Sequence, residues 1–191
     1  MTWCDRRLGW VPLVAGLPVL LFLVGCPRPR PVHPLNGEVR YTCCNLRYDR
    51  GRVREDGDLR GTILPVGTRV RIDQVIKNRV AFTAEDVGVS LVLEFKGKPG
   101  YLSLDRYLAQ VFLSDDPKPQ LSRLPPKVTA LIRQADIEVG MTKDAVVMSF
   151  GYPPVDLTPS LDAPNWRYRR GQGETSVYFD AEDKVVKIGP E

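Results

Sequence analysis

Histidine is the residue type that this sequence has least of, and its scarcity limits the chemistry available. The chain of 191 residues contains one histidine, His33, which lies in a proline-rich stretch. A solvated side chain is far more common in such a stretch than a catalytic one. The rest of the chain therefore has no imidazole to act as a general base or to activate a nucleophile. We expect a protein that is not an enzyme and has no catalytic residues.

Cysteine is also sparse, with four in the chain. Cys4 and Cys26 lie at either end of the N-terminal apolar segment, which leaves only the adjacent pair Cys43 and Cys44. One such pair builds neither a disulfide framework nor a four-ligand metal site. We therefore expect no metal and no dissociable cofactor.

A strong excess of one charge is lacking too. The formal net charge is +4, and it becomes +3 if an N-terminal segment with Arg6, Arg7 and Asp5 is removed. This mild excess suits contact with anionic lipid headgroups but does not indicate a nucleic-acid partner.

No apolar run is long enough to cross a membrane as a helix. Val11–Val24 is almost wholly apolar but is interrupted by two prolines and a glycine, and it covers only about 14 residues where a bilayer core of ~30 Å needs about 20. A basic start, a short apolar region and small residues before a cleavage site are typical of an export signal. Residues 1–25 are therefore predicted to be a signal peptide.

The end of this segment, Leu23-Val24-Gly25-Cys26, resembles the lipobox of bacterial lipoproteins. The resemblance implies cleavage after Gly25, a diacylglycerol thioether on Cys26 and an acyl chain on its new amino group. Two or three acyl chains hold a protein on a membrane essentially permanently. Pro27 is not the Asp that favours inner-membrane retention in related sorting systems, so the outer membrane, facing the periplasm, is expected. The alternative is a plain secretory signal in which Cys26 is incidental.

Residues 26–35 form a proline-rich tether, in which alternating prolines favour an extended chain. At ~3.1 Å per residue, eight such residues span about 25 Å. Residues 36–113 then show short strand-like patterns, such as Val89, Leu91, Leu93 and Phe95 on one side of a strand. Several short strands followed by a late helical turn resemble an SH3-like barrel. A glycine- and charge-rich loop between Asp49 and Gly61 is expected to be too polar to bury.

Cys43 and Cys44 allow two interpretations. On a strand their side chains point to opposite faces, and neighbouring Cα atoms are ~3.8 Å apart, below the usual disulfide range of ~4.4–6.8 Å. This geometry favours one thiol in the core and one at an edge. The alternative is a vicinal redox pair, which an oxidising compartment would permit.

The last part of the chain has a different pattern. Residues 114–127 carry four prolines and no periodicity, which indicates a linker. Residues 128–191 predict two short helices, the second capped by Thr142 and stopped at Gly151, and then three strands. The predicted fold class is α+β: a small, mostly β domain followed by a two-helix, three-strand domain.

Several motifs in this last part resemble the SmpA/OmlA (BamE-like) family. They are Val139-Gly140-Met141-Thr142-Lys143, Phe150-Gly151-Tyr152-Pro153, Trp166-Arg167-Tyr168, Val177-Tyr178-Phe179-Asp180 and Val185-Val186-Lys187-Ile188. The resemblance covers residues 128–188 and implies an outer-membrane lipoprotein with a two-helix, three-strand fold. In that family the BamE subunit supports the assembly of outer-membrane proteins.

Two functional hypotheses follow. The first is a lipid-anchored interaction protein whose partners are membrane lipid and an envelope protein, such as the outer-membrane assembly machinery. The second is a ligand-binding module that recognises peptidoglycan or a peptide through the SH3-like part. The candidate contact residues for a lipid or protein partner are Arg167, Arg169 and Arg170, whose guanidinium groups suit phosphate or carboxylate, although an ordinary solvated face is an equal alternative.

Overall fold

The computed structural model describes residues 32–97 and 102–190. The predicted signal peptide, the cleavage position Gly25, the lipidation position Cys26 and most of the tether lie outside the described residues. The described residues belong to one compact unit of mixed α+β structure. None of their helices has the length and apolarity that a membrane-spanning helix needs.

The first part of the chain forms an eight-stranded sheet together with one helix, α1 (Leu104–Val111). Its strands are β1 (Val39–Thr42), β2 (Leu46–Asp49), β3 (Arg52–Val53), β4 (Thr62–Leu64), β5 (Arg69–Ile76), β6 (Arg79–Ala84), β7 (Val89–Glu94) and β8 (Phe112–Leu113). The strand order is β4-β2-β3-β7-β6-β5-β1-β8, and every pairing is antiparallel except that of β3 with β7.

Alternation of apolar and polar residues builds the core of this sheet. Leu91 and Leu93 of β7 are buried, and Val89 and Phe95 pack against the same core, as their spacing predicts. In β5 the alternation is broken by a bulge between residues 72 and 74. Val75 rather than Ile76 is therefore buried, because one extra residue reverses the faces that follow it.

The second part forms a three-stranded antiparallel sheet covered by short helices. The helices are α2 (Lys118–Leu121), α3 (Pro126–Gln134) and α4 (Lys143–Phe150), and the strands are β9 (Asn165–Arg170), β10 (Gly173–Phe179) and β11 (Val185–Gly189) in the order β11-β10-β9. The two helices and three strands predicted for residues 128–191 are confirmed. Trp166 and Tyr168 of β9 are buried. The ring centroid of Trp166 lies 4.8 Å from that of Phe179, and the ring centroid of Tyr168 lies 5.4 Å from that of Phe150.

Local signals explain the limits of α4. The hydroxyl of Thr142 accepts a hydrogen bond from the N–H of Ala145 at 3.3 Å, and Asp144 places negative charge in the first turn. The helix stops at Gly151, whose φ of 82° is a left-handed value that glycine adopts without steric cost.

Two buried apolar clusters result, one for each sheet, and two segments join them. Asn45, buried beside the first cluster, hydrogen-bonds to the carbonyl oxygens of Ile132 (2.6 Å) and Ser149 (3.1 Å) in the second part. Residues 57–59 pair with the edge of β9. The segment 114–127, predicted as a linker, contains α2 and contributes Leu121 to the second cluster.

The expectation that residues 49–61 are too polar to bury is wrong for part of that loop. Leu59 belongs to the second cluster, and Asp58 is 3% exposed. Burial is feasible because the polar groups have partners: the N–H of Leu59 donates to the carbonyl of Arg169, and the N–H of Arg169 donates to that of Gly57.

Candidate functional site

A cleft of about 550 Å³ lies where the first sheet meets the second part of the chain. Both parts supply its walls: the bend after β1, residues 54–58, the end of β7 and helix α1 on one side, and residues 150–161 on the other. This volume falls in the range of small-molecule and peptide side-chain sites. It is the cavity that best qualifies as a functional site in the described part of the chain.

Aromatic and proline side chains form the apolar lining. Phe95 and Tyr107 stack with ring centroids 5.2 Å apart, and Phe150 and Tyr152 come from the end of α4. Burial, and then the negative charges of Glu55 and Asp56, raise the pKa of Tyr107. Both phenols that line the cleft therefore stay neutral at physiological pH, because burial also raises the pKa of Tyr152.

A disulfide joins Cys43 to Cys44, and Cys44 lines the cleft. Both cysteines are buried, at 6% and 1% exposure, so the expectation of one core thiol and one edge thiol does not match the structure. The reason is that β1 ends at Thr42, and the two cysteines lie in a bend where strand alternation no longer applies.

Charged side chains form the polar wall, and Asp58 organises it. Its carboxylate accepts hydrogen bonds from Arg54 (2.9 Å) and from Arg60 (2.7 Å). The hydrogen bond from the Arg60 side chain, followed by the backbone N–H of Arg60 and the charge of Arg54, lowers the pKa of Asp58 to about 2, against the opposing effect of burial. This carboxylate is fully engaged and has no capacity left for acid–base chemistry.

Glu55 has a different environment. Burial raises its pKa, and the hydrogen bond that its Oε1 accepts from the backbone N–H of Lys96 only partly offsets this effect. Nothing in the described lining places a nucleophile beside it, so Glu55 fits a contact residue better than half of a catalytic pair.

Arg47 and Arg54 supply unused hydrogen-bond donors. Both line the cleft, and the Nε atom of each is buried without a partner among the described residues. Burial and the positive charge of Arg170 lower the pKa of Arg47, although Asp58 opposes them. Among the described residues its side chain makes one hydrogen bond, a long one of 3.4 Å from Nη2 to the carbonyl of Ala135.

Two of the three candidate contact residues on β9, Arg167 and Arg169, have partners inside the chain. Arg167 pairs with Glu174 across the strand pair. Arg169 donates to the carboxylate of Asp156 at 2.7 Å and to the carbonyl of Asp56 at 2.7 Å, and its pKa is raised mainly by the bond to Asp156. Arg170 is exposed. The structure therefore brings Arg169 to the side of the cleft but uses its charge to hold residues 56 and 156 together.

His33 lies away from the cleft. Its Nε2 is 3.1 Å from a carboxylate oxygen of Asp105 at the start of α1. No group of three or more metal-ligating side chains occurs among the residues the structure describes.

Most of the cleft could not be found by sequence reasoning, because its residues come from segments far apart in the chain. One signal was present: three arginines and three acidic residues are mixed in the nine residues from Arg52 to Arg60. Such a dense mixture of charges is compatible with a solvated loop, and also with a buried ion-pair network that fixes a wall.

Comparisons with known proteins find no match: no protein-family model, no curated protein and no solved structure is significantly similar to this chain.

Proposed function

We propose that this protein is a lipid-anchored lipoprotein of the cell envelope that acts as an interaction protein, held by acyl chains on Cys26 at the periplasmic face of the outer membrane. The proposal is supported first by the sequence from Leu23 to Cys26, which combines a small residue before the cleavage position with a cysteine after it. The proline-rich tether that follows suits a folded part held at a distance from the membrane.

The finer architecture is part of the proposal. The second part of the chain is a BamE-like domain, and the first is an SH3-like barrel. The observation that carries this proposal is that α3 and α4 cover a three-stranded antiparallel sheet, with Thr142 and Gly151 at the two ends of α4, as the family resemblance implies. A scaffold role beside the outer-membrane assembly machinery follows from the same resemblance.

A Cys26→Ser variant tests the anchor. Cells that express it are labelled with an alkyne analogue of palmitate, and their membranes are separated by centrifugation. We expect loss of the label and release of the protein from the pelleted membranes, because serine has no thiol to form the thioether.

Cys4→Ser is the matched control, since it removes a cysteine on the other side of the apolar segment. It should leave labelling and pelleting unchanged. A Cys26→Ser protein that still carries the label and pellets with membranes would contradict the lipoprotein proposal.

The second candidate function is a ligand-binding module for peptidoglycan or a peptide. The cleft favours it, because a cavity of about 550 Å³ with aromatic walls and unused buried donors is more than an adaptor surface requires. Co-sedimentation of the protein with purified peptidoglycan, compared with capture of envelope proteins by crosslinking in intact cells, separates this function from the first.

A further inference from the structure

The charges in the wall of the cleft do not balance locally. Asp58 is occupied by Arg54 and Arg60, and Asp156 by Arg169. Arg47, Lys96 and Arg106 also line the cleft, and no carboxylate lies within ion-pair distance of them among the described residues. The remaining carboxylates are Glu55, whose charged form is disfavoured by burial, and Asp56, which is 3.4 Å from Arg54. With Arg60 and Arg169, which pair with Asp58 and Asp156 from beside the lining, six cationic side chains meet four carboxylates, so the wall has spare positive charge.

We propose that the cleft binds a molecule in which a carboxylate is attached to an apolar or aromatic body, with the carboxylate held by Arg47 and Arg54 and the body against Phe95, Tyr107, Phe150 and Tyr152. This inference rests on the second candidate function and specifies its ligand class. A peptide with a free C-terminal carboxylate and an aromatic last residue fits it, and so does a free arylalkanoic acid.

The unpartnered Nε atoms are the first support for this assignment. Buried polar atoms are nearly always hydrogen-bonded, so an unpaired one needs an explanation. Two of the four such atoms in the described residues belong to arginines of this one cleft. A carboxylate is the group that matches guanidinium geometry best, because it accepts two parallel N–H bonds from one arginine.

The unfavourable surroundings of the Arg47 guanidinium are the second support for this assignment. This guanidinium is partly removed from water and lies near the like charge of Arg170, which the charge of Asp58 opposes, while its one hydrogen bond among the described residues is 3.4 Å long. Such a side chain contributes little to stability unless an anion joins it. A bound carboxylate supplies that anion.

The aromatic wall is the third support, because it sits in the same cavity as the arginines. Neutral phenols and phenyl rings offer apolar area and edge-to-face contacts to another ring. Arginines beside such a wall favour an amphipathic anion over a small polar one, since a phosphate or sulfate would leave the rings unused.

The test is calorimetric titration of the full-length chain, purified in an uncharged detergent, with a tetrapeptide that ends in phenylalanine. Three probes are compared: this peptide with a free C-terminal carboxylate, the same peptide amidated, and 3-phenylpropionate. We expect the free acid to bind at least about tenfold more tightly than the amide, because charge-assisted hydrogen bonds are lost with the carboxylate. Binding of 3-phenylpropionate at comparable strength would assign the site to small acids, and binding of the peptide alone to chain ends.

Arg47→Gln is the diagnostic variant, with Arg52→Gln as its control, since Arg52 is exposed and does not line the cleft. Arg47→Gln should weaken binding of the free acid about tenfold or more while the midpoint of thermal unfolding stays the same or rises.

Equal affinity for acid and amide would overturn the carboxylate assignment but leave a binding cleft in place. Absence of binding by all three probes would overturn the inference itself. The second candidate function is then tested separately by sedimentation with peptidoglycan.

Discussion

At the residue scale, the carboxylate of Asp58 is where the side chains of two arginines meet. Arg54 and Arg60 reach it from the same loop, and the backbone N–H of Arg60 adds a third donor at 3.0 Å. Because the carboxylate is buried, these bonds are screened little by solvent. The shape of the polar wall of the cleft therefore depends on the ionised state of one side chain.

The first prediction is that Asp58→Asn loses stability in a pH-dependent way. The pKa of Asp58 is about 2 in the folded chain and 3.8 in its ordinary state, so ionised Asp58 stabilises the fold above about pH 3.8, and this contribution is lost as the pH falls towards about 2. The difference corresponds to about 2 kcal/mol in the free energy of unfolding at neutral pH. Urea denaturation at several pH values measures it.

The wild type and Asp58→Asn should differ by about 2 kcal/mol at neutral pH and converge at about pH 2. Asp162→Asn is the control, since that carboxylate is exposed and accepts one long bond, from the hydroxyl of Ser160 at 3.5 Å. A difference between the wild type and Asp58→Asn that does not change with pH would show that the amide loses packing rather than charge.

At the element scale, the segment from residue 54 to residue 60 connects the two sheets, and residues 57–59 of it pair with the edge of β9. Gly57 has a φ of 66°, and its Cα lies so close to the ring of Pro154 that an added Cβ would be 2.8 Å from the Cγ of that proline. The carbonyl of Gly57 also accepts the N–H of Arg169 at 3.1 Å. Glycine is required here for two separate reasons, the backbone angle and the close approach.

The second prediction separates these two reasons. Gly57→Ala should lower the free energy of unfolding by about 3 kcal/mol, the sum of a backbone cost and of overpacking against a rigid ring. Gly140→Ala is the matched control: Gly140 has a φ of 92° but open space where its Cβ would be, so only about 1 kcal/mol is expected. Equal losses in the two variants would mean that Pro154 moves aside and that the close approach does not fix the segment.

The elements that could be predicted from the sequence are those with an undisturbed period. Strand β9 alternates cleanly, and α4 carries both a capping threonine and a stop glycine, so local residues decide their limits. Prediction failed where a tertiary contact decides. The burial of Leu59 depends on the pairing of its segment with β9, and the cleft is built from segments about 100 residues apart.

At the scale of the whole molecule, the sequence predicts two domains with a linker, and the structure has two apolar clusters with polar connections between them. Asn45 makes several of these connections. Its side-chain amide donates to the carbonyl oxygens of Ile132 and Ser149, its Oδ1 accepts the N–H of Val66 at 2.9 Å, and its own N–H donates to the carbonyl of Met148 at 3.0 Å. These bonds span both clusters, so neither can open without breaking them.

The third prediction is that both parts of the chain unfold as one cooperative unit. Amide hydrogen exchange under native conditions should give the same free energy of opening for the most protected residues of β6 in the first part and of β10 in the second. Asn45→Ala removes three buried side-chain hydrogen bonds and leaves the N–H of Val66 without its acceptor, so it should lower both values together by about 2–4 kcal/mol. Asn78→Ala is the control, because its exposed amide makes one bond, to the carbonyl of Phe95, and should cost less than about 1 kcal/mol.

If β10 instead exchanges at a clearly lower free energy than β6, and Asn45→Ala affects only one of them, the two parts are independent domains and the cleft between them is free to open and close.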